Sequence, residues 1–101
     1  MKPGLEATEH PGSLDIAWAA GIYEGEGWVQ LNNTTRAAVG QKDVWLLERL
    51  KALFGGSIYS AGNGREHVWA ISGSRARGFL FTIYCFLSPR RREQVRKALR
   101  V

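Results

Sequence analysis

Twice along this chain a helix-length apolar pattern stops at glycines and gives way to two short strand-like segments around a turn. So regular an alternation in 101 residues predicts helices and strand pairs in one α/β (α+β) unit. The first helix runs from about Leu14 to Glu24, with Ser13 or Asp15 as its cap. Leu14, Trp18 and Ile22 form an apolar stripe at four-residue spacing. Ala17, Gly21 and Gly25 form a second stripe of small residues, along which two helices can approach closely. Gly25 and Gly27 end the helix. Trp28 to Leu31 and Arg36 to Gly40 are strands around the turn residues Asn32 to Thr35. Asp43 to Phe54 is a helix, with Val44, Leu47, Leu50, Lys51 and Phe54 at intervals of three or four, Asp43 as cap and Gly55-Gly56 as stop. Ser57 to Ser60 and His67 to Ser72 flank the turn Gly62-Asn63-Gly64. Ser74 to Leu87 suits a strand by composition and a helix by length. Ser88-Pro89 opens a last helix.

The length fits one domain over residues 13–101, behind a flexible leader over residues 1–12 that is rich in Pro and Gly. The longest apolar run, Phe79 to Leu87, is half of what a bilayer needs, and the N-terminus lacks a signal-peptide core. These features predict a soluble intracellular protein that no membrane holds. The one cysteine, Cys85, lies among Phe81, Ile83, Tyr84 and Phe86. It makes no internal disulfide and is expected in the core. His10 and His67 stand apart, which argues against a structural zinc site.

Lys and Arg number 14 against 9 Asp and Glu, a net charge of +5. Between Arg75 and Val101 there are eight basic residues and one acid, Glu93. That asymmetry suits a polyanionic partner, because each basic group that meets a phosphate releases counterions. It also suits a merely solvated basic helix.

Residues Ala19 to Gly27 read Ala-Ala-Gly-Ile-Tyr-Glu-Gly-Glu-Gly. A carboxylate at a helix end beside glycines is held by rigid backbone, and the small neighbours let another backbone come close. Hard cations such as Mg²⁺ prefer such oxygen ligands, and phosphodiester hydrolysis uses them. Glu26 has this setting.

This stretch resembles the signature of the LAGLIDADG homing endonucleases, in an acidic variant with Glu for Asp. The resemblance extends over roughly residues 13 to 100. It includes the pair Gln41-Lys42 before the second helix, Phe54-Gly55 at that helix's end, and the basic segment Arg90 to Gln94. It implies a half-domain of order α-β-β-α-β-β-α with a curved antiparallel four-stranded sheet backed by helices, which favours a helix over Ser74 to Leu87 and gives this chain the order α-β-β-α-β-β-α-α. It implies that Glu26, with the Gly25 carbonyl, binds Mg²⁺ or Mn²⁺. It gives Glu24 a structural place at the helix end, and makes Gln41 a positioner of water or an ordinary hydrogen bonder. Arg90, with Arg92 close behind, aligns with a basic residue beside the phosphate. Arg in place of the usual Lys stays charged and does not serve as a base.

The resemblance further implies that the sheet lies in the major groove. Gln30, Asn32, Thr34 and Arg36 then face the bases from the first hairpin, with Gln and Asn suited to adenine and Arg to guanine. Ser57, Tyr59 and Arg65 follow on the second, while Trp69 and Ile71 pack beneath. The signature occurs once, so cutting both strands calls for a homodimer on a pseudo-palindromic duplex, joined along Ala17, Gly21 and Gly25. The implied function is a site-specific double-strand DNA endonuclease of intron or intein type. The alternatives are a catalytically weak or inactive DNA-binding module or maturase of the same fold, and a structural dimer with a solubilising tail.

Overall fold

A computed structural model describes residues 11–100. The expected leader lies, except for Pro11 and Gly12, outside the described residues. Four helices and four strands follow in the order expected: α1 Ser13–Glu26, β1 Gly27–Leu31, β2 Thr35–Gln41, α2 Val44–Phe54, β3 Ser57–Ala61, β4 Glu66–Ser72, α3 Gly73–Ile83 and α4 Pro89–Leu99. A short 3-10 turn over Tyr84–Phe86 joins the last two helices. The strands form one antiparallel sheet in the order β1-β2-β4-β3.

Strand alternation gives the sheet two faces. Ala37, Val39, Trp69 and Ile71 turn toward the helices, joined by Val29 and Ile58. Phe79 of α3 packs edge-on against three rings, Phe54 at 4.9 Å, Trp69 at 5.1 Å and Tyr23 at 6.0 Å between centroids. One side chain thereby gathers α1, α2 and β4 onto α3. Trp69, fully buried, donates its indole N–H to the Gly55 carbonyl at 2.8 Å. The next residue has to be glycine: a Cβ on Gly56, at φ 98°, would sit 2.2 Å from Ile71 and 2.6 Å from the Ala70 carbonyl. The opposite face of the sheet is open, and its centre is apolar, with Ala38, Val68 and Ala70 buried beneath longer neighbours.

Local signals set most of the helix ends. Ser88 caps α4, its hydroxyl accepting from the Arg91 N–H at 3.2 Å, with Pro89 in the first turn. Asp43 stands at the cap position of α2 but makes no side-chain cap bond. Helix α1 does not stop at Glu24. It runs through Gly25 to Glu26, and Gly27 alone ends it, donating to the Tyr23 carbonyl. Gly27 suits that place because a Cβ there would lie 2.3 Å from the Tyr23 ring.

Burial is uneven along α1, and one burial expectation, that of Cys85, is corrected. Helix α1 faces the core with Ala19, Ala20 and Tyr23, joined by the half-buried Ile16, Trp18 and Ile22, while Leu14 is 84% exposed. A helix apolar on both faces has no single stripe for the core to claim. Cys85 is exposed, not core. Helix α3 ends at Ile83, and the tighter 3-10 turn changes the phase of the side chains. Tyr84 and Leu87 then pack inward, and Cys85 and Phe86 turn out.

Candidate functional site

The two acids of the α1 terminus have different surroundings. Glu24 is bound into the fold: its Oε1 accepts from the Ser88 N–H at 2.9 Å, and its backbone carbonyl accepts from Arg91 Nε at 3.1 Å. The Ser88 N–H holds the Glu24 carboxyl below its ordinary range, helped by the Ser88 hydroxyl, Arg91 and Arg90 against an opposing effect of burial. Arg91 also donates to Gln94 at 3.2 Å and lies 5.6 Å from the Tyr23 ring centre. Tyr23 is buried, and burial pushes its hydroxyl up to about 12. Glu24 and Arg91 thus fasten the end of α1 to the start of α4.

Glu26, two residues on, is exposed. Its place follows from the sheet register. Gly27 pairs with Val39, so Glu26 comes alongside Gly40, and Gln41 closes β2 opposite His67. The result is a cleft of about 320 Å³ lined by Glu26, Trp28, Gly40, Gln41, Lys42 and Glu66. Glu26 and Gln41 are therefore brought together. The Gln41 side-chain oxygen accepts from the Lys42 N–H at 3.1 Å, which leaves the amide N–H₂ directed elsewhere.

Arg90 is exposed on the first turn of α4, close enough to Glu24 to act on its carboxyl, and does not line the cleft. Arg92 is half-buried. It donates to the Cys85 carbonyl at 2.8 Å and lies 5.7 Å from the Tyr84 ring centre, holding the 3-10 turn to α4.

On the open sheet face, Gln30, Arg36, Ser57 and Tyr59 all point outward by alternation. Asn32 and Thr34 do not continue that row. They belong to the three-residue turn between β1 and β2, where strand alternation no longer applies, and stand exposed at its tip. Arg65 is exposed in the turn before β4. Ala17 is half-buried, Gly21 and Gly25 are exposed, and a Cβ on either glycine would meet nothing within 4 Å.

Three residues of the site escaped the sequence reading. Lys42 was noted only as half of a pair, and Trp28 only as the start of a strand. Glu66 carried no local signal, because it reaches the cleft through the pairing of β2 with β4. Among the described residues no group of three His, Cys, Asp or Glu could by itself hold a metal. What α1 offers is one exposed carboxylate and, in the last helical turn, the Gly25 carbonyl, which has no intrahelical partner. Two hard oxygens of this kind fit Mg²⁺ when phosphate and water complete the shell.

No family model matches the sequence, and no curated protein matches it. Solved structures do share its fold. The homing endonuclease I-CvuI, crystallised on the I-CreI target with Mg²⁺ and uncleaved DNA, superposes at a TM-score of 0.73 with 18% identity over 86% of this chain. The archaeal intron-encoded homing endonuclease I-Vdi141I, complexed with DNA, gives 0.66 with 20% identity over 83% of this chain and 65% of its own. The homing endonuclease I-TnaI gives 0.63 with 20% identity over 84% of this chain and 69% of its own. This chain spans 64% of the length of I-CvuI.

Proposed function

We propose that this chain is a metal-dependent, site-specific DNA endonuclease working as a homodimer. It has the fold of the LAGLIDADG homing endonucleases. The observation that carries the reading is the unequal treatment of the two acids. Glu24 is committed to Ser88, while Glu26 stands exposed in a cleft with Gln41 and Lys42, beside an open sheet face that carries Arg36. A structural carboxylate is paired. An exposed one at the junction of a helix end and a ligand-sized cleft is available for chemistry.

In this reading the sheet face enters the major groove, and Arg90 binds the DNA backbone with Arg65. Glu26 and the Gly25 carbonyl hold a divalent cation, Mg²⁺ or Mn²⁺. When bound, that cation supplies positive charge that polarises the scissile phosphate and acidifies water. The Gln41 amide N–H₂ orients the attacking water, and Lys42 adds positive charge beside the phosphate. Each chain brings one Glu26, so two strands call for two chains. Leu14, Ala17, Gly21 and Gly25 share one side of α1 and stand exposed or half-buried in the single chain, with Trp18 beside them packed on the core under Arg49. A second copy about a two-fold axis would cover that side and bring the two helix ends together. Among the described residues no helix is long and apolar enough to cross a membrane.

A second reading, a DNA-binding module without cleavage, is favoured by one observation: Arg92 spends its guanidinium on Cys85 within the fold. Supercoiled plasmid carrying a selected target separates the two. Nicking and linearisation in Mg²⁺ support the nuclease, and tight binding without cleavage supports the module.

A further inference from the structure

Arg36 is already engaged on the open sheet face. Its Nη1 donates to Gln30 Oε1 at 3.1 Å, and its Nη2 donates to the Tyr59 hydroxyl. Gln30 is its direct partner across β1 and β2. Tyr59 lies on β3, beyond β4, opposite Val68. On the diagonal between them lies Ala70, paired with Ala38, while Ser72 stands across from Arg36 and Val68 across from Tyr59. Ala70 is a single methyl group, so the arginine can lie across it and reach Tyr59. A longer side chain there would lift it away.

A guanidinium has five N–H donors and no acceptor. Two are committed here, and the other three are held in direction from both sides. Donors held that way select a base edge with adjacent acceptors. In the major groove guanine offers N7 and O6, adenine and cytosine place a donor there, and thymine has one acceptor beside a methyl. An arginine pinned beforehand also loses less side-chain freedom on contact. The same bonds change what Gln30 can do. Its amide oxygen is turned to Arg36, so it does not present the donor-acceptor pair that suits adenine.

We infer that Gln30 and Tyr59 are positioning residues for Arg36, and that the three form one guanine-reading unit in place of three separate base contacts. This rests on the DNA-binding reading above. It requires that changes at three positions on three strands alter recognition of the same base pair.

The test is selection of preferred duplexes by the whole chain, then competition binding with single base-pair changes. Wild type should favour guanine at one position by about 5- to 150-fold. Arg36→Ala should abolish that preference. Arg36→Lys should keep overall affinity, because the charge stays, yet lose the preference with the fork. Gln30→Ala and Tyr59→Phe should each weaken the preference at that same position by about two- to tenfold, and adding either to Arg36→Ala should change nothing more. Both side chains are exposed, so melting temperatures should hold and show that the variants fold. If Tyr59→Phe or Gln30→Ala shifts preference at a different base pair, or adds to Arg36→Ala, the unit is refuted while DNA binding stands. A wild type that discriminates among no duplexes it binds refutes the unit, and one that binds no duplex refutes both.

Discussion

The Glu24 carboxylate accepts the backbone N–H of Ser88 at 2.9 Å, so an acid at the end of α1 serves the N-terminal end of α4. The contact joins two residues 64 positions apart in the chain and closes the segment between them into one unit. A negative charge at a helix N-terminus is also favourable in itself.

The pH dependence of stability follows from this contact. Glu24 titrates below its ordinary 4.5 in the folded chain, so folding favours the ionised form. Its contribution is complete above the unfolded-state pKa and is lost as pH falls through the lower folded value. Glu24→Gln should flatten that acid limb in thermal melts run from pH 7 to pH 3. Glu24→Ala should cost about 1 kcal/mol at pH 7 through the lost hydrogen bond. An acid limb identical to wild type in Glu24→Gln would show that the contact contributes nothing.

The glycines of α1 predict the oligomeric state. A glycine inside a helix costs about 1 kcal/mol relative to alanine, and nothing within this chain meets a Cβ at Gly21 or Gly25. In a lone chain Gly21→Leu should therefore leave stability unchanged or raise it. If the face packs on a second copy, the same change should shift sedimentation from dimer to monomer mass and lower the melting temperature. A monomeric wild type, folded and active, would exclude the dimer.

Arg90 and Arg92, adjacent in expectation, should separate in behaviour. Arg90 is exposed and Arg92 is bonded to Cys85. Arg90→Ala should lower the slope of log affinity against log salt by about one with little change in stability. Arg92→Ala should chiefly lower the melting temperature. The reverse pattern would assign the phosphate contact to Arg92.

How much was legible depended on the range of the determining interaction. The α2 stop at Gly55-Gly56 and the Ser88-Pro89 start are local, and the pattern carried them, while the inward pair Trp69 and Ile71 followed from the family resemblance. Cys85 was misplaced because the 3-10 turn comes from packing against α1 and α4, which residue type does not reveal. Asn32 and Thr34 were misplaced because alternation was extended past Leu31 into the turn. Glu66 and Lys42 meet Glu26 only through the pairing of β1 with β2 and of β2 with β4. The short-range signals contain no such register. The fastening of Glu24 by Arg91 spans 67 residues and was equally hidden, although the structural place of Glu24 followed from the family resemblance.

The most direct test of the central claim is cleavage of a selected duplex in Mg²⁺ by wild type and by Glu26→Gln, with DNA binding measured on the same preparations. Gln preserves the size of the side chain and removes the charge that would hold the cation. Wild type should linearise the plasmid, and the variant should lose cleavage by orders of magnitude while keeping or raising its affinity for DNA, since negative charge near phosphates is gone. Cleavage at the wild-type rate by Glu26→Gln would contradict the assignment of Glu26 as the metal-binding carboxylate.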